Sequence, residues 1–140
     1  MPTAVKVNCN YCGLKDLRQL AKDEINRQLQ LAAIQPKFWF PQNPIRSQRK
    51  TKVEFFHELF TGRNLTSLSE LWHAIEKIPS DRCRETLQYV FTALLYSCSS
   101  MQMFSEKWPS SSRGWTAPRF YLPSSRQEKN VWHTFENRFK

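Results

Sequence analysis

Two consecutive stripes of apolar residues at helical spacing, separated by Pro79, constrain this chain more than any other feature. The stripes comprise Leu65, Leu68, Leu71, Trp72, Ile75 and Ile78, and then Cys83, Leu87, Val90, Phe91, Leu94, Leu95, Cys98 and Met101. Thr61 is placed to cap the first helix, and Ser80 or Asp81 to cap the second. Because helices joined by so short a link pack antiparallel, the sequence predicts a mainly α fold, a small helical domain around this pair.

Three further helices are predicted on either side of the central pair. The first runs from Asp16, which is placed to cap it, to Ala33. The second runs from Val53 to Phe60, and the third from Asn130 to Lys140. The side chains expected to face inward are Phe55, Phe56, Leu59 and Phe60 in the second helix and Val131, Trp132, Phe135 and Phe139 in the third.

Proline-rich and basic stretches are expected to be irregular. Residues 36–44 contain three prolines and three adjacent aromatic residues, which favours an extended, partly buried segment. Residues 46–52 and 108–115 are predicted loops. The sequence is therefore divided into residues 1–36, with a half zinc knuckle and an N-terminal helix, and residues 37–140, a helical domain with basic loops.

Composition excludes several classes of protein. The 140 residues carry a formal charge of +9 and a pI near 9.7, which favours a polyanionic partner such as DNA. Without an apolar run of membrane-spanning length or an export signal, we expect a cytoplasmic protein with reduced cysteines. Since glycine-rich nucleotide loops, His-x-Glu metal pairs and Gly-x-Ser-x-Gly elbows are also missing, a complete enzyme is not expected.

The positive charge is concentrated in two irregular stretches. Residues 37–52 carry +5 and residues 106–140 carry +4, whereas residues 53–105 carry −2. Solvated loops often hold such charge, but contact with DNA phosphates is the alternative interpretation. That alternative predicts DNA contacts at Arg46, Arg49, Lys50, Lys52, Arg113 and Arg119.

Other side chains are placed to contact DNA bases. At the start of the first central helix, Arg63 could reach phosphate or guanine and Asn64 could reach adenine, although capping and solvation are the alternatives. In the aromatic loop, Trp115 and Trp108 could stack on unpaired bases, and so could Trp39. Aromatic residues of this kind also close small cores, and that alternative stays open.

A Cys-x-x-Cys pair lies near the N-terminus. Cys9 and Cys12 are spaced to share one zinc ion, but a closed structural site needs four ligands. Cys83 and Cys98 are expected to be small core residues rather than the missing ligands. The pair is therefore interpreted either as half of a zinc site or as an orphaned knuckle.

Several of these segments together resemble a known family. They are Leu59-Phe60-Thr61-Gly62-Arg63-Asn64-Leu65, Lys37-Phe38-Trp39-Phe40-Pro41, Tyr121-Leu122-Pro123 followed by Glu128-Lys129-Asn130-Val131-Trp132, and Asn8-Cys9-Asn10-Tyr11-Cys12-Gly13. In this order they are similar to the middle region, a zinc knuckle plus a helical insert, of large bacterial DNA methyltransferases. Those enzymes modify the exocyclic amino groups of adenine or cytosine.

The resemblance implies a role in holding DNA rather than in chemistry. The family's Phe-x-Gly-x-Gly and Asp-Pro-Pro-Tyr motifs are both missing here, so S-adenosylmethionine is expected on another segment. The chain is then a fragment, a split-gene subunit or a decayed remnant that is not expected to be active alone. The alternative is a non-enzymatic protein-interaction module that docks a catalytic partner.

Overall fold

The computed structural model describes residues 4–8, 15–45, 53–104, 122–123 and 125–138. The chain divides into two compact units, Met1–Ile34 and Gln35–Lys140. Most of the regular structure is helical, as predicted, and the strands described lie in the first unit.

The first unit contains a hairpin and one helix. Strands β1 (Ala4–Asn8) and β2 (Lys15–Gln19) pair antiparallel, and helix α1 (Lys22–Ala32) follows. The prediction that this helix begins at Asp16 is wrong, because residues 15–19 pair with β1 over their whole length. The helix starts after Ala21 instead, whose backbone N–H donates to the Glu24 carboxylate (2.9 Å).

The second unit contains three α-helices with polar N-caps. They are α2 (Gly62–Glu76), α3 (Asp81–Leu94) and α4 (Val131–Glu136). The cap side chains of Thr61, Ser80 and Asn130 each accept a hydrogen bond from a first-turn backbone N–H. The predicted caps of the two central helices are thus confirmed at Thr61 and Ser80.

Helices α2 and α3 run antiparallel. Contacts pair Asn64 with Cys98, Trp72 with Phe91, and Ile78 with Arg84. Residue numbers therefore increase along one segment as they decrease along the other. The core lies between α2, α3, α4 and the segments beside them. Its buried apolar residues are Val53, Leu59, Phe60, Leu68, Ile75, Phe91, Leu94, Cys98, Met101, Val131 and Phe135.

Helix α3 is shorter than its apolar stripe. It ends at Leu94, and residues 95–101 form successive turns that still bury Cys98 and Met101. The Ser99 hydroxyl donates to the Tyr96 carbonyl (2.8 Å) and accepts from the Met101 N–H (3.2 Å), replacing helical hydrogen bonds. Cys83, expected in the core, is exposed.

Two further predictions differ from the structure. The segment from Val53 to Phe60 contains only a 3₁₀-helix (Phe56–Leu59), and Phe55 is 38% exposed rather than inward-facing. Trp132 is likewise 61% exposed. The buried face of the short helix α4 consists of Val131, Thr134 and Phe135, so the adjacent position 132 faces solvent. Phe139 lies outside the described residues.

Within the parts of the chain described, no helix is long and apolar enough to cross a membrane.

Residues 36–43 form neither helix nor strand, as the prolines predict, and Pro44 makes an isolated bridge with Phe55.

Candidate functional site

Backbone hydrogen bonds pair the residues that lie on either side of residues 46–52. Around the Pro44–Phe55 bridge, the Ile45 N–H donates to the Glu54 carbonyl (2.8 Å), and the Phe56 N–H donates to the Asn43 carbonyl (3.0 Å). Residues 46–52, here called the first basic connection, join the two sides of this pair. The predicted DNA-contacting residues Arg46, Arg49, Lys50 and Lys52 belong to it and lie outside the described residues.

Glu58 binds the backbone just after the first basic connection. Its carboxylate accepts hydrogen bonds from the backbone N–H groups of Glu54 (2.8 Å) and Phe55 (3.2 Å). These two bonds lower the pKa of Glu58 below its ordinary value, because they favour the ionised form. The carboxylate therefore stays charged and accepts both bonds at neutral pH.

The residues on either side of residues 105–124 are paired in the same way. The Met103–Arg126 bridge is flanked by bonds from the Phe104 N–H to the Ser125 carbonyl (3.1 Å) and from the Gln127 N–H to the Gln102 carbonyl (3.0 Å). Residues 105–124 are here called the second basic connection, and residues 125–129 the return limb. Arg113, Trp115 and Arg119, with Trp108, belong to the second connection and lie outside the described residues.

Arg63 contacts an acidic side chain on the return limb. Its guanidinium forms an ion pair with Glu128, and the Thr61 hydroxyl donates to the other carboxylate oxygen of Glu128 (2.6 Å). The Glu128 side chain is only 19% exposed. This Glu128 clamp, formed by Thr61, Arg63 and Glu128, joins the first turn of α2 to the return limb.

Asn64 is buried beside the Glu128 clamp. It is 2% exposed, and its side-chain Nδ2 donates to the Cys98 and Lys129 carbonyls, each at 2.9 Å. Because an amide nitrogen has two donors, both are used within the fold. Asn64 therefore joins α2 to two other segments through both of its side-chain donors.

A cavity of about 240 Å³ opens in the surface of the second unit. It is lined by Trp39, Phe40, Pro41, Phe56, Phe60, Leu65, Leu68, Ser69, Trp72, Phe91, Thr92 and Leu95. Trp39 is 67% exposed at this cavity, so one large indole has much of its surface uncovered. A nucleobase buried here would leave its polar edge without partners, so the walls suit an apolar group instead.

Two glutamines with buried side-chain polar atoms, Gln102 and Gln127, lie next to the second basic connection. Gln102 is fully buried, and neither its amide nitrogen nor its amide oxygen has a hydrogen-bond partner among the described residues. The buried Nε2 of Gln127 is also unpaired there. The sequence does not predict the burial of Gln102, because glutamine side chains are usually exposed to solvent.

The zinc prediction falls on residues that the structure does not describe. Cys9 and Cys12 lie outside the described residues, and the described part of the chain contains no group of three or more His, Cys, Asp or Glu that could hold a metal. Cys98 is fully buried, and burial raises its pKa to about 11, which disfavours the thiolate needed to bind zinc.

Sequence reasoning selected Arg63 but missed the partner that defines its position. Glu128 is 65 residues away in the sequence, so no local spacing links the two. The signal in the sequence was Arg63 itself, since an arginine at a helix start, where the helix dipole is positive, indicates an acidic partner nearby. Comparison with known protein families, curated proteins and solved structures finds no match for this chain.

Proposed function

We propose that this chain is the DNA-binding portion of a DNA methyltransferase and lacks the cofactor and catalytic segments itself. The observation that carries the proposal is the first basic connection, whose four cations lie between chain ends held by paired backbone bonds. Four cations so close together in the sequence favour contact with phosphates, since each neutralised phosphate adds to the affinity. A cytoplasmic location belongs to the same proposal, in which Cys9 and Cys12 are an orphaned knuckle or two of the four ligands that a structural zinc site needs.

Salt-dependent binding tests the DNA-binding part of the proposal. The four cations Arg46, Arg49, Lys50 and Lys52 are replaced by glutamine, and binding to a labelled mixed-sequence duplex is measured over a range of salt concentrations. If all four contact phosphates, the slope of log K against log salt becomes less negative by about 3.6 in the variant, since each contact contributes about −0.9.

A control variant removes the same charge elsewhere. Lys22, Arg27, Lys77 and Arg82 are exposed cations outside both basic connections. Their replacement by glutamine is expected to leave the slope nearly unchanged. Equal losses in the two variants would show that net charge alone attracts DNA, and a wild-type chain that does not bind duplex at low salt would contradict the proposal.

The methyltransferase context is supported by the ordered motif resemblance alone. It predicts that the purified chain transfers no methyl group, and that frames with Phe-x-Gly-x-Gly and Asp-Pro-Pro-Tyr motifs flank its gene. S-adenosylmethionine would bind to those segments. Flanking DNA without such frames would remove this context while leaving the DNA-binding proposal standing.

A second candidate function is a protein-interaction module that docks a catalytic partner. The apolar cavity with exposed Trp39 favours it, because exposed aromatic surface beside a pocket is typical of binding sites for apolar side chains. This candidate requires that changes in the cavity abolish partner binding while leaving DNA binding intact.

A further inference from the structure

The apolar cavity of the second unit has walls that offer a ligand few hydrogen bonds. No charged side chain is among the described residues that line it, and the two that carry hydroxyl groups are Ser69 and Thr92. The Ser69 hydroxyl donates to the Thr66 carbonyl (3.0 Å), and the Thr92 hydroxyl donates to the Tyr89 carbonyl (2.7 Å). Because both hydrogens are used within helices, a charged or strongly polar group buried here would lose its hydration without compensation.

The size and the walls of the cavity favour a flat ring system. An apolar cavity of about 150 Å³ holds one benzene molecule, so a volume of about 240 Å³ leaves room for a second fused ring. Aromatic rings pack well against one another in offset or edge-to-face arrangements. Six of the lining residues are aromatic: Trp39, Phe40, Phe56, Phe60, Trp72 and Phe91.

Trp39 is held at the cavity by the residues on either side of it. The Phe38 ring stacks on the His73 ring of α2, with 3.8 Å between the ring centroids. The Phe40 ring meets the His57 ring edge-on, with 5.5 Å between the centroids. Both phenylalanines are half-buried, whereas Trp39 between them is 67% exposed. The fold therefore presents the indole of Trp39 at the cavity instead of burying it in the core.

The apolar surface around the cavity is too limited to favour a protein partner. A stable protein interface buries about 800 Å² on each partner and is apolar at its centre. Among the described residues of the second unit, the other exposed large hydrophobic side chains are Phe55, Tyr89, Met103 and Trp132, and none of them lines the cavity. The occupant that fits best is therefore a free small molecule.

We propose that this cavity binds a small uncharged aromatic molecule of about two fused rings, which stacks on Trp39. This inference goes beyond the proposed DNA-binding function and does not depend on it. It gives Trp39 a different partner from the unpaired base expected from the sequence. A nucleobase has a similar flat shape, but its ring nitrogens and amino groups would be buried without hydrogen-bond partners.

Two ring systems of the same shape test the chemistry of the site. Indole and purine are both fused five- and six-membered rings, but purine carries more ring nitrogens. Each is titrated into the complete chain by isothermal titration calorimetry. We expect indole to bind with a Kd on the order of 0.1 mM and purine to bind at least about tenfold more weakly. Purine binding as tight as that of indole, or no binding of indole, would overturn the proposal.

A pair of tryptophan variants tests the location of the site. Trp39→Ala removes the exposed ring at the cavity and should weaken indole binding about tenfold. Trp132→Ala is the matched control, because Trp132 is 61% exposed on α4 and does not line the cavity. Its affinity for indole should stay within about twofold of wild type. Folding of both variants is checked by urea unfolding, and a folded Trp39→Ala variant with wild-type affinity would contradict the role of Trp39.

A third titration distinguishes a free molecule from the side chain of a partner protein. N-acetyl-tryptophanamide carries the same indole ring attached to two amide groups. Since one indole accounts for most of the space, those amides would lie against Trp39 and Pro41 at the cavity wall and lose hydration there. We expect it to bind at least about tenfold more weakly than indole. Equal or tighter binding would overturn the assignment to a free molecule and favour the docked side chain of the second candidate function.

Discussion

Cys98 shows at the scale of one residue how burial controls chemistry in this fold. The side chain is fully buried in the turns after α3, and burial raises its pKa from 9.0 to about 11. The nearby Glu128 carboxylate acts in the same direction, while a hydrogen bond with Thr134 opposes it. The thiol therefore stays protonated and unreactive at neutral pH.

The raised pKa of Cys98 predicts a loss of stability in alkaline solution. Between the two pKa values the unfolded chain releases the thiol proton while the folded chain keeps it, so the free energy of unfolding falls as pH rises. The expected loss is roughly 2–3 kcal/mol between about pH 8 and pH 11, measured by urea unfolding.

Two alanine variants isolate this contribution. Cys98→Ala lowers the overall stability but should lose less free energy of unfolding than wild type over the alkaline range. Cys83→Ala, which changes an exposed thiol, should follow the wild-type pH dependence. Parallel curves for all three proteins would show that Cys98 does not titrate as described.

Polar residues at helix starts show which residue-level features could be predicted. Capping depends on the side chain and its next three residues, so Thr61 and Ser80 were recognised from sequence. The partners of Arg63 and Asn64 lie 34 or more residues away, and local sequence contains no information on such contacts. The residues next to Asn64 in the sequence therefore do not show whether its side chain is buried or exposed.

At the scale of elements, hydrophobic periodicity predicted the α2–α3 pair but placed other boundaries wrongly. The apolar stripe continues past Leu94, yet residues 95–101 form turns, in which the Ser99 hydroxyl bonds to the Tyr96 carbonyl and the Met101 N–H. Residues 15–19 became a strand because β1 offers a backbone partner. Both errors arise where hydrogen bonding, and not burial, decides the local structure.

The apolar cavity beside α3 predicts binding of an uncharged apolar probe. Nile red should bind wild-type protein with enhanced fluorescence, because the cavity is lined mainly by apolar side chains. Thr92→Phe places a ring at the cavity wall and should abolish the signal by filling the space. Binding is measured by dye titration.

Thr86→Phe is the matched control for the cavity variant. Thr86 and Thr92 are both exposed on α3, and each hydroxyl bonds to a backbone carbonyl of the preceding turn. Of these two residues, only Thr92 lines the cavity. Equal dye binding by the two variants would contradict the proposed occupancy of the cavity by apolar groups.

At the scale of the whole molecule, the described core belongs to one unit. All of its buried apolar residues lie between Val53 and Phe135, within the unit Gln35–Lys140. All five tryptophans also follow residue 35, so tryptophan fluorescence reports on that unit alone. Unfolding of the second unit can therefore be followed in the complete chain.

Removal of residues 1–34 is expected to leave this transition nearly unchanged. Since the described core contains no residue from the first unit, the free energy of unfolding should stay within about 0.5 kcal/mol of the full chain. The measurement is urea unfolding of both chains followed by tryptophan fluorescence. A lower midpoint or a loss of cooperativity for the shorter chain would contradict this assignment of the core.

The paired ends of the two basic connections also affect how the protein can evolve. Each connection leaves and re-enters the helical unit where backbone bonds hold the two chain ends together. Doubling the length of such a closed loop costs only about 0.6 kcal/mol, so insertions and deletions there leave the core almost untouched. Related proteins could therefore change the length and charge of these segments while keeping the same helices.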